Sequence, residues 1–426
     1  MFASLLMLLL LAHCSDPISD DPDNNSSDPS SSDIIISEFM VHQEHTLADP
    51  DFGEYSGWIE LHNRGDRSEN ISGWLLAGQP PESHPDDQHL IPDGTTIAPG
   101  GYLLIWADGR DTSGDAMHTG FTLSGDGGQV GLYGPDGTIT VDTITYSSLD
   151  IAPDISMGRM NFDGSDHIGF LLPMNQPTPG EANQLAQLNL QEQYTLDIED
   201  PSGLDVDETG DYFWMVSDNP GGSIYKITKT GDIVNVLDVG GEDMEGITQH
   251  PNNRLLYVVE ERSREIVIFD TSGNEIDRYK VDVEMTNLND GLEGITINPE
   301  NDHIFVVNKR LPRALIEMNV TAGARLDQIR YTPMNFGAEE DADGLSLAGL
   351  FFDNEDGVLW MVSDEARAVF VLDLDGRPLA AYDAFEKDLE SIALIRDDNR
   401  IYLASDGNHT LFAFEFPDPF LRLPAR

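Results

Sequence analysis

The chain has 426 residues, with 77 acidic side chains against 23 Lys and Arg, for a formal net charge of −54. That length fits two or three domains with cores of their own. The negative surface excludes general binding to nucleic acid or to anionic lipid, and it suits a saline or divalent-rich medium that screens self-repulsion.

Residues 2–12 form an apolar run too short to span a bilayer, as the core of a signal peptide would be. The run Leu11-Ala12-His13-Cys14 resembles a bacterial lipobox, in which Cys14, the single cysteine, is lipidated and becomes the mature N-terminus. No Lys or Arg precedes the apolar run and His13 stands where a small residue is usual, so plain secretion also fits. On the lipoprotein resemblance, Ser15 favours the outer membrane. The expectation is an exported protein: an outer-membrane lipoprotein, or a protein of the cell surface or periplasm, touching membrane through its lipid alone. Residues 15–33 are nearly free of apolar side chains and read as a disordered acidic, Ser-rich tether.

From 34 to 184 short alternating runs such as Trp58-Ile59-Glu60-Leu61-His62 are separated by Gly, Pro, Asp and Asn turns. This is the pattern of a β-sandwich. Ile36-Ser37-Glu38-Phe39-Met40, Trp58 to Asn63, Ile71-Ser72-Gly73-Trp74 and Ala98-Pro99-Gly100-Gly101-Tyr102 occur in order. Gly131-Leu132-Tyr133, Ser156-Met157-Gly158-Arg159 and Pro177-Thr178-Pro179-Gly180-Glu181-Ala182-Asn183 follow. Together they resemble the lamin-tail domain, an immunoglobulin-like sandwich. The resemblance implies an interaction module without a catalytic set. Trp58, Trp74 and Trp106 read as packing, and no sugar- or partner-binding face is located.

From 190 to 418 the chain repeats. A short signature recurs as Pro201-Ser202-Gly203-Leu204, Met244-Glu245-Gly246-Ile247, Leu292-Glu293-Gly294-Ile295, Leu347-Ala348-Gly349-Leu350 and Leu389-Glu390-Ser391-Ile392. Each is followed by a polar turn and an apolar strand. Periods of this length mark propellers or solenoids. Five repeats of four strands predict a five-bladed β-propeller. The last repeat lacks its fourth strand, and Gln193 to Ile198, ahead of the first signature, can supply it. The fold expected is thus all-β: an immunoglobulin-like sandwich, then a five-bladed β-propeller whose ring is closed by an N-terminal strand.

These repeats resemble the SdiA-regulated family of exported, calcium-associated propellers. The likeness rests on the signatures and on Val259-Glu260-Glu261-Arg262 and Ser363-Asp364-Glu365; Ala348 and Ser391 depart from the pattern.

Propeller geometry places Glu245, Glu293 and Glu390, at the start of inner strands, on the same channel mouth as Asp218, Glu261, Asp364 and Asp406, which follow second strands. Packed carboxylates repel unless a cation neutralises them. Oxygen donors without His or Cys favour calcium over zinc, and a flexible multi-carboxylate site favours it over magnesium. The expected site is calcium held by Glu245, Glu293 and Glu390, with Asp218 or Asp364 outside them; the alternative is an acidic rim with no fixed ion.

Asp205 to Gly210 imitates the opening of an EF-hand loop, but Val216 stands where the closing Glu belongs, so it reads as a turn. Gly344 to Ala348 lacks the last glycine of a nucleophile elbow, and the 11 His include no H-E-x-x-H pair. Lys309, Arg310 and Arg313 occupy the third repeat where the others carry acids; they read as partners for neighbouring acids or as contacts for an anionic ligand. The leading function is non-enzymatic: calcium sensing or homeostasis at the envelope, or scaffolding of an unidentified protein or glycan partner. A calcium-dependent hydrolase of lactonase or phytase type, and a structural adhesion protein with no ion, are the alternatives.

Overall fold

A computed structural model describes residues 28–417, except 85–86, 111–113, 162–168, 220, 284–288, 311, 322–324, 335, 337–343, 385 and 387. The apolar start, Cys14 and most of the expected tether lie outside the described residues. Residues 28–33 belong to the fold: Ser32 Oγ and the Asp33 amide both donate to Glu69.

The first unit stacks two sheets. One has six strands in the order Phe170–Met174, Ser156–Met160, Ile34–Met40, Gly57–Asn63, Tyr102–Ala107 and Met117–His118. The other runs Thr140–Ser147, Gly127–Tyr133, Leu75–Ala77 and Gln88–Leu90. Ile36, Phe39, Ile59, Leu61, Trp74, Leu76, Val130 and Leu132 fill the space between. Trp58 and Trp106 face each other across paired strands and pack on Met40. All three sandwich tryptophans are buried, as packing residues are.

Beyond the sandwich the described residues form five sheets of propeller type, each with four antiparallel strands and one of them with a fifth, parallel strand. They begin with Pro201–Val206, Met244–Gln249, Leu292–Asn298, Leu350–Asp353 and Leu389–Ile395. In the last sheet Leu190–Thr195 pairs with Thr410–Glu415. That strand begins three residues before the expected Gln193, because Leu190 already pairs with Phe414.

The signature glycines explain how the sheets meet. A Cβ on Gly203 would lie 2.7 Å from the Gly246 Cα, one on Gly246 would fall on the Glu293 carbonyl, one on Gly294 on the Ala348 carbonyl, and one on Gly349 against Ser391. Each first strand therefore presses on the next at a distance only glycine permits. Side chains add staples: Asp205 accepts the Gln249 amide at 2.6 Å, and Thr296 Oγ1 accepts the Phe352 amide at 2.8 Å. Asp205 thus serves a strand contact, and beyond it Gly210 donates to the Asp207 carbonyl in a tight turn.

The two units share a core. Phe170 and Leu172 of the sandwich pack with Phe305, Leu345, Leu347 and Phe370. The Leu171 amide donates to the Phe336 carbonyl at 2.8 Å. Ala186–Gln187 then adds a short parallel strand beside Tyr382 and Asp383.

Candidate metal centre

Three of the five repeats set their acids by the same device. In three sheets an aspartate with positive φ precedes the first strand: Asp200, Asp243 and Asp388. Its carbonyl accepts the amide of the residue just past the second strand: Asp200 from Asp218 at 3.1 Å, Asp243 from Glu261 at 3.0 Å, Asp388 from Asp406 at 3.1 Å. In the third repeat Gly291 accepts from Lys309 at 2.7 Å. These bonds tie the loop entering the first strand to the loop leaving the second, so both loops present side chains at one mouth.

Two carboxylate triads result. Donor oxygens of Asp218, Asp243 and Glu245 lie within 4.8 Å of one another, and so do those of Glu245, Glu261 and Glu293. Glu245 belongs to both. Glu293, Glu261 and Asp243 are buried, whereas Glu245, Glu390 and Asp218 keep partial exposure. Glu390 and Asp364 join neither triad, but Glu390 lies within electrostatic reach of Glu245, Asp364 and Asp406. Asp364 Oδ1 is engaged locally, accepting the Asp388 amide at 2.7 Å.

A basic residue sits among the acids. Lys309 Nζ lies 2.8 Å from Glu293 Oε1. Burial alone would lower its pKa, but Glu293, Glu390 and Glu245 more than reverse that and hold it charged. Lys309 fills in its repeat the position of Asp218, Glu261 and Asp406 in theirs, so that repeat carries the opposite charge there. Arg310 reaches outward to Asp290 at 3.2 Å and Glu365 at 2.5 Å. Arg313 is buried over Phe170 and donates to the Leu345 carbonyl at 3.1 Å. Of the three, only Lys309 enters the acidic cluster.

The protonation of the cluster follows from its enclosure. Burial, with Glu261 and Asp243 nearby, pushes Glu245 up to about 7, although Ser202 donates to it. Burial and then Glu245 and Asp243 raise Asp218 to about 7. Burial raises Glu261 to about 6 and Glu390 to about 8. Glu293 is displaced well above the usual range by burial and by Glu245. Lys309, together with Arg262 at 2.7 Å from Asp243, supplies two positive charges to six carboxyl groups. Protons or a cation must supply the rest. Shared, closely spaced hard oxygens fit a divalent cation, and the lack of nitrogen or sulfur donors fits calcium or magnesium better than zinc.

Sequence reasoning placed Glu245, Glu293 and Asp218 here and named Glu261 as a neighbour. It missed Asp243, which stands one residue ahead of the signature; the recurrence of Asp200, Asp243 and Asp388 at that point was the available signal.

Comparison with known families agrees with the two-part organisation. Residues 27–148 match the Lamin Tail Domain model and residues 182–392 match the SdiA-regulated model. No curated protein matches the chain. Among solved structures, a glutaminyl cyclase of Myxococcus xanthus is similar at 13% identity and a TM-score of 0.43, over 55% of this chain and 98% of its own. A gluconolactonase of Xanthomonas campestris is similar at 14% identity and a TM-score of 0.37, over 56% of this chain and 99% of its own. The chain thus matches a lamin tail domain followed by an SdiA-regulated domain, in the order that its motifs occur.

Proposed function

We propose that the protein is an exported, lipid-anchored calcium-binding propeller of the cell envelope, acting in calcium sensing or homeostasis or as a scaffold. The single observation that carries this reading is Glu245, shared by two carboxylate triads that are buried in part. Calcium at the mouth would be held by Glu245, Glu261 and Glu293 or by Asp218, Asp243 and Glu245, with Glu390 close enough to feel its charge. In this reading the five sheets close as five blades, with Leu190–Thr195 completing the ring. Cys14 carries the lipid, and the lamin tail sandwich presents the surface for a protein or glycan partner. Because the sandwich shares a core with the propeller, it is a fixed platform rather than a swinging arm.

The test is thermal unfolding of the full chain in EGTA and after addition of calcium, magnesium or an equal ionic strength of sodium chloride. A ligand bound only by the native state raises stability by mass action, about 2.7 kcal/mol at a hundredfold excess over Kd. The expected outcome is a calcium-specific rise that Glu245→Gln/Glu293→Gln abolishes. An equal rise from every salt would return the acids to the status of a solvated rim and favour the structural reading.

One observation favours a second reading, a calcium-dependent hydrolase of lactones or phosphate esters at the same mouth. A carboxyl group near pKa 7, Glu245, lies in a cluster with a fixed ammonium, Lys309, and such a group is poised for proton transfer at neutral pH. Turnover of a lactone or ester panel that is lost in Glu245→Gln would move this reading ahead.

A further inference from the structure

The sandwich holds another convergence of metal-binding side chains, far in sequence from the propeller. His118 ends the strand Met117–His118, which runs parallel to Tyr102–Ala107. The residue is fully buried and both its nitrogens face carboxylates. Nδ1 lies 2.9 Å from Asp108 Oδ2, while Nε2 lies 3.1 Å from Asp51 Oδ2 and 3.8 Å from Asp49 Oδ1. One donor atom from each of Asp49, Asp108 and His118 falls within 4.8 Å of the others.

The turn 49–54 is built to hold these groups. Asp49 Oδ1 accepts the Asp51 amide at 2.8 Å, and Asp51 in turn accepts the amides of Asp115 and Ala116 at 2.9 and 3.0 Å. Arg110 closes the far side, 2.8 Å from Asp108 and 2.6 Å from Glu54. The Phe52 ring stands edge-on to His118 and beneath the Arg110 guanidinium.

Two independent features call for a cation. The first is charge: Asp49, Asp51, Asp108 and Glu54 face one guanidinium, Arg110, which leaves three negative charges. An imidazolium would leave two of them, whereas a divalent ion on neutral His118 would leave one. The second is Asp49 Oδ2, which has no hydrogen-bond partner although Asp49 is only 1% exposed. A buried carboxylate oxygen without a donor is costly unless positive charge lies beside it.

We propose that His118 Nε2, Asp49 and Asp51 form a second metal site, for a borderline divalent ion such as zinc, and that Asp108 orients His118 through Nδ1. Mixed imidazole and carboxylate donors suit zinc, cobalt or nickel rather than calcium. A carboxylate on the other ring nitrogen is the usual support of a metal-binding histidine. The separations of 3.1 and 3.8 Å bracket the roughly 3.3 Å expected between ligands about 2.0–2.1 Å from a tetrahedral zinc. Such an ion would clamp the turn 49–54 to the edge strand Met117–His118.

The experiment is calorimetric titration of the chelator-stripped full chain with zinc, and with cobalt as a spectroscopic probe. It uses His118→Gln, Asp49→Asn, the channel variant Glu245→Gln/Glu293→Gln, and His42→Ala/His45→Ala, which removes an exposed pair beside Glu44. One zinc per chain is expected, with tetrahedral cobalt absorption. Affinity should fall about tenfold or more in His118→Gln and Asp49→Asn, and hold in the other two variants. If His118→Gln does not fold, Asp49→Asn and the cobalt spectrum decide. Absence of zinc binding, binding that survives both sandwich variants, or binding lost with the channel or exposed-histidine variants would overturn the proposal.

Discussion

In the sandwich, Glu38 and Glu60 are completely buried cross-strand neighbours, and Glu38 helps raise the pKa of Glu60, yet each is also met by neutral donors. Glu38 accepts from Ser156 Oγ, the Thr178 amide and Thr178 Oγ1; Glu60 accepts from Ser37 Oγ at 2.6 Å and from the Gly180 amide. In the propeller mouth, Glu245, Glu293 and Glu390 meet one another and a single ammonium. Burial raises the pKa of acids in both places, so a raised pKa does not separate them. The kind of partner does. Hydroxyls and amides make a buried carboxyl self-sufficient and structural, holding Pro177 to Asn183 against the strands that carry Glu38 and Glu60. Carboxyls that face carboxyls leave a deficit of positive charge, and that deficit is what a ligand can fill.

The largest expected effect breaks the mouth at its own cation. Lys309→Met in EGTA should destabilise the chain by up to about 3 kcal/mol, the low end for breaking a buried pair, because Nζ retains some solvent access. Saturating calcium should restore most of the loss in denaturant unfolding. Loss without calcium rescue would mean that the mouth needs Lys309 alone.

A smaller effect tests the sandwich. Thr178→Val or Ser156→Ala removes a donor to Glu38 and should cost about 1–3 kcal/mol, with the same value in EGTA and in calcium. Rescue of either by calcium would erase the distinction between the two regions.

The smallest effect is a pH dependence. Burial raises the Glu60 pKa from 4.5 to about 7, so the folded state keeps a proton that the unfolded chain releases in that interval. Its contribution is therefore fully present below pH 4.5 and is lost as pH rises through 7. Unfolding free energies measured from roughly pH 5 to 8 should decline less steeply in Glu60→Gln than in the parent. Parallel curves would show that Glu60 does not carry the proton.

Much of this was legible in the residues. The spacing of the signatures located the five first strands, and the glycines stand where adjacent strands press together. Of the acids beside those glycines, Glu245 and Glu293 come together with Glu261, whereas Glu390 joins neither triad. The strand that joins the last sheet was legible in kind but starts earlier than its local pattern suggests, since pairing with Thr410–Glu415 decides its ends. Lys309 was visible as a basic residue in an acidic position. Which of Lys309, Arg310 and Arg313 would turn inward was not visible, because three neighbouring long side chains share one local pattern. The His118 cluster left no periodic trace: it joins the turn 49–54, Asp108 and an edge strand of two residues.

By itself the sequence determined what repeats at short range: strand period, turn chemistry, the order of the two units and the series of signature glycines. These follow from backbone sterics and alternation, which act over a few residues. Only the tertiary structure decided which charges face each other, which carboxyls receive hydroxyl donors, and how the sandwich strand Phe170–Met174 enters the propeller core. Those outcomes depend on distances between groups tens of residues apart, and electrostatic and packing energies are set by such distances and by the water excluded between them.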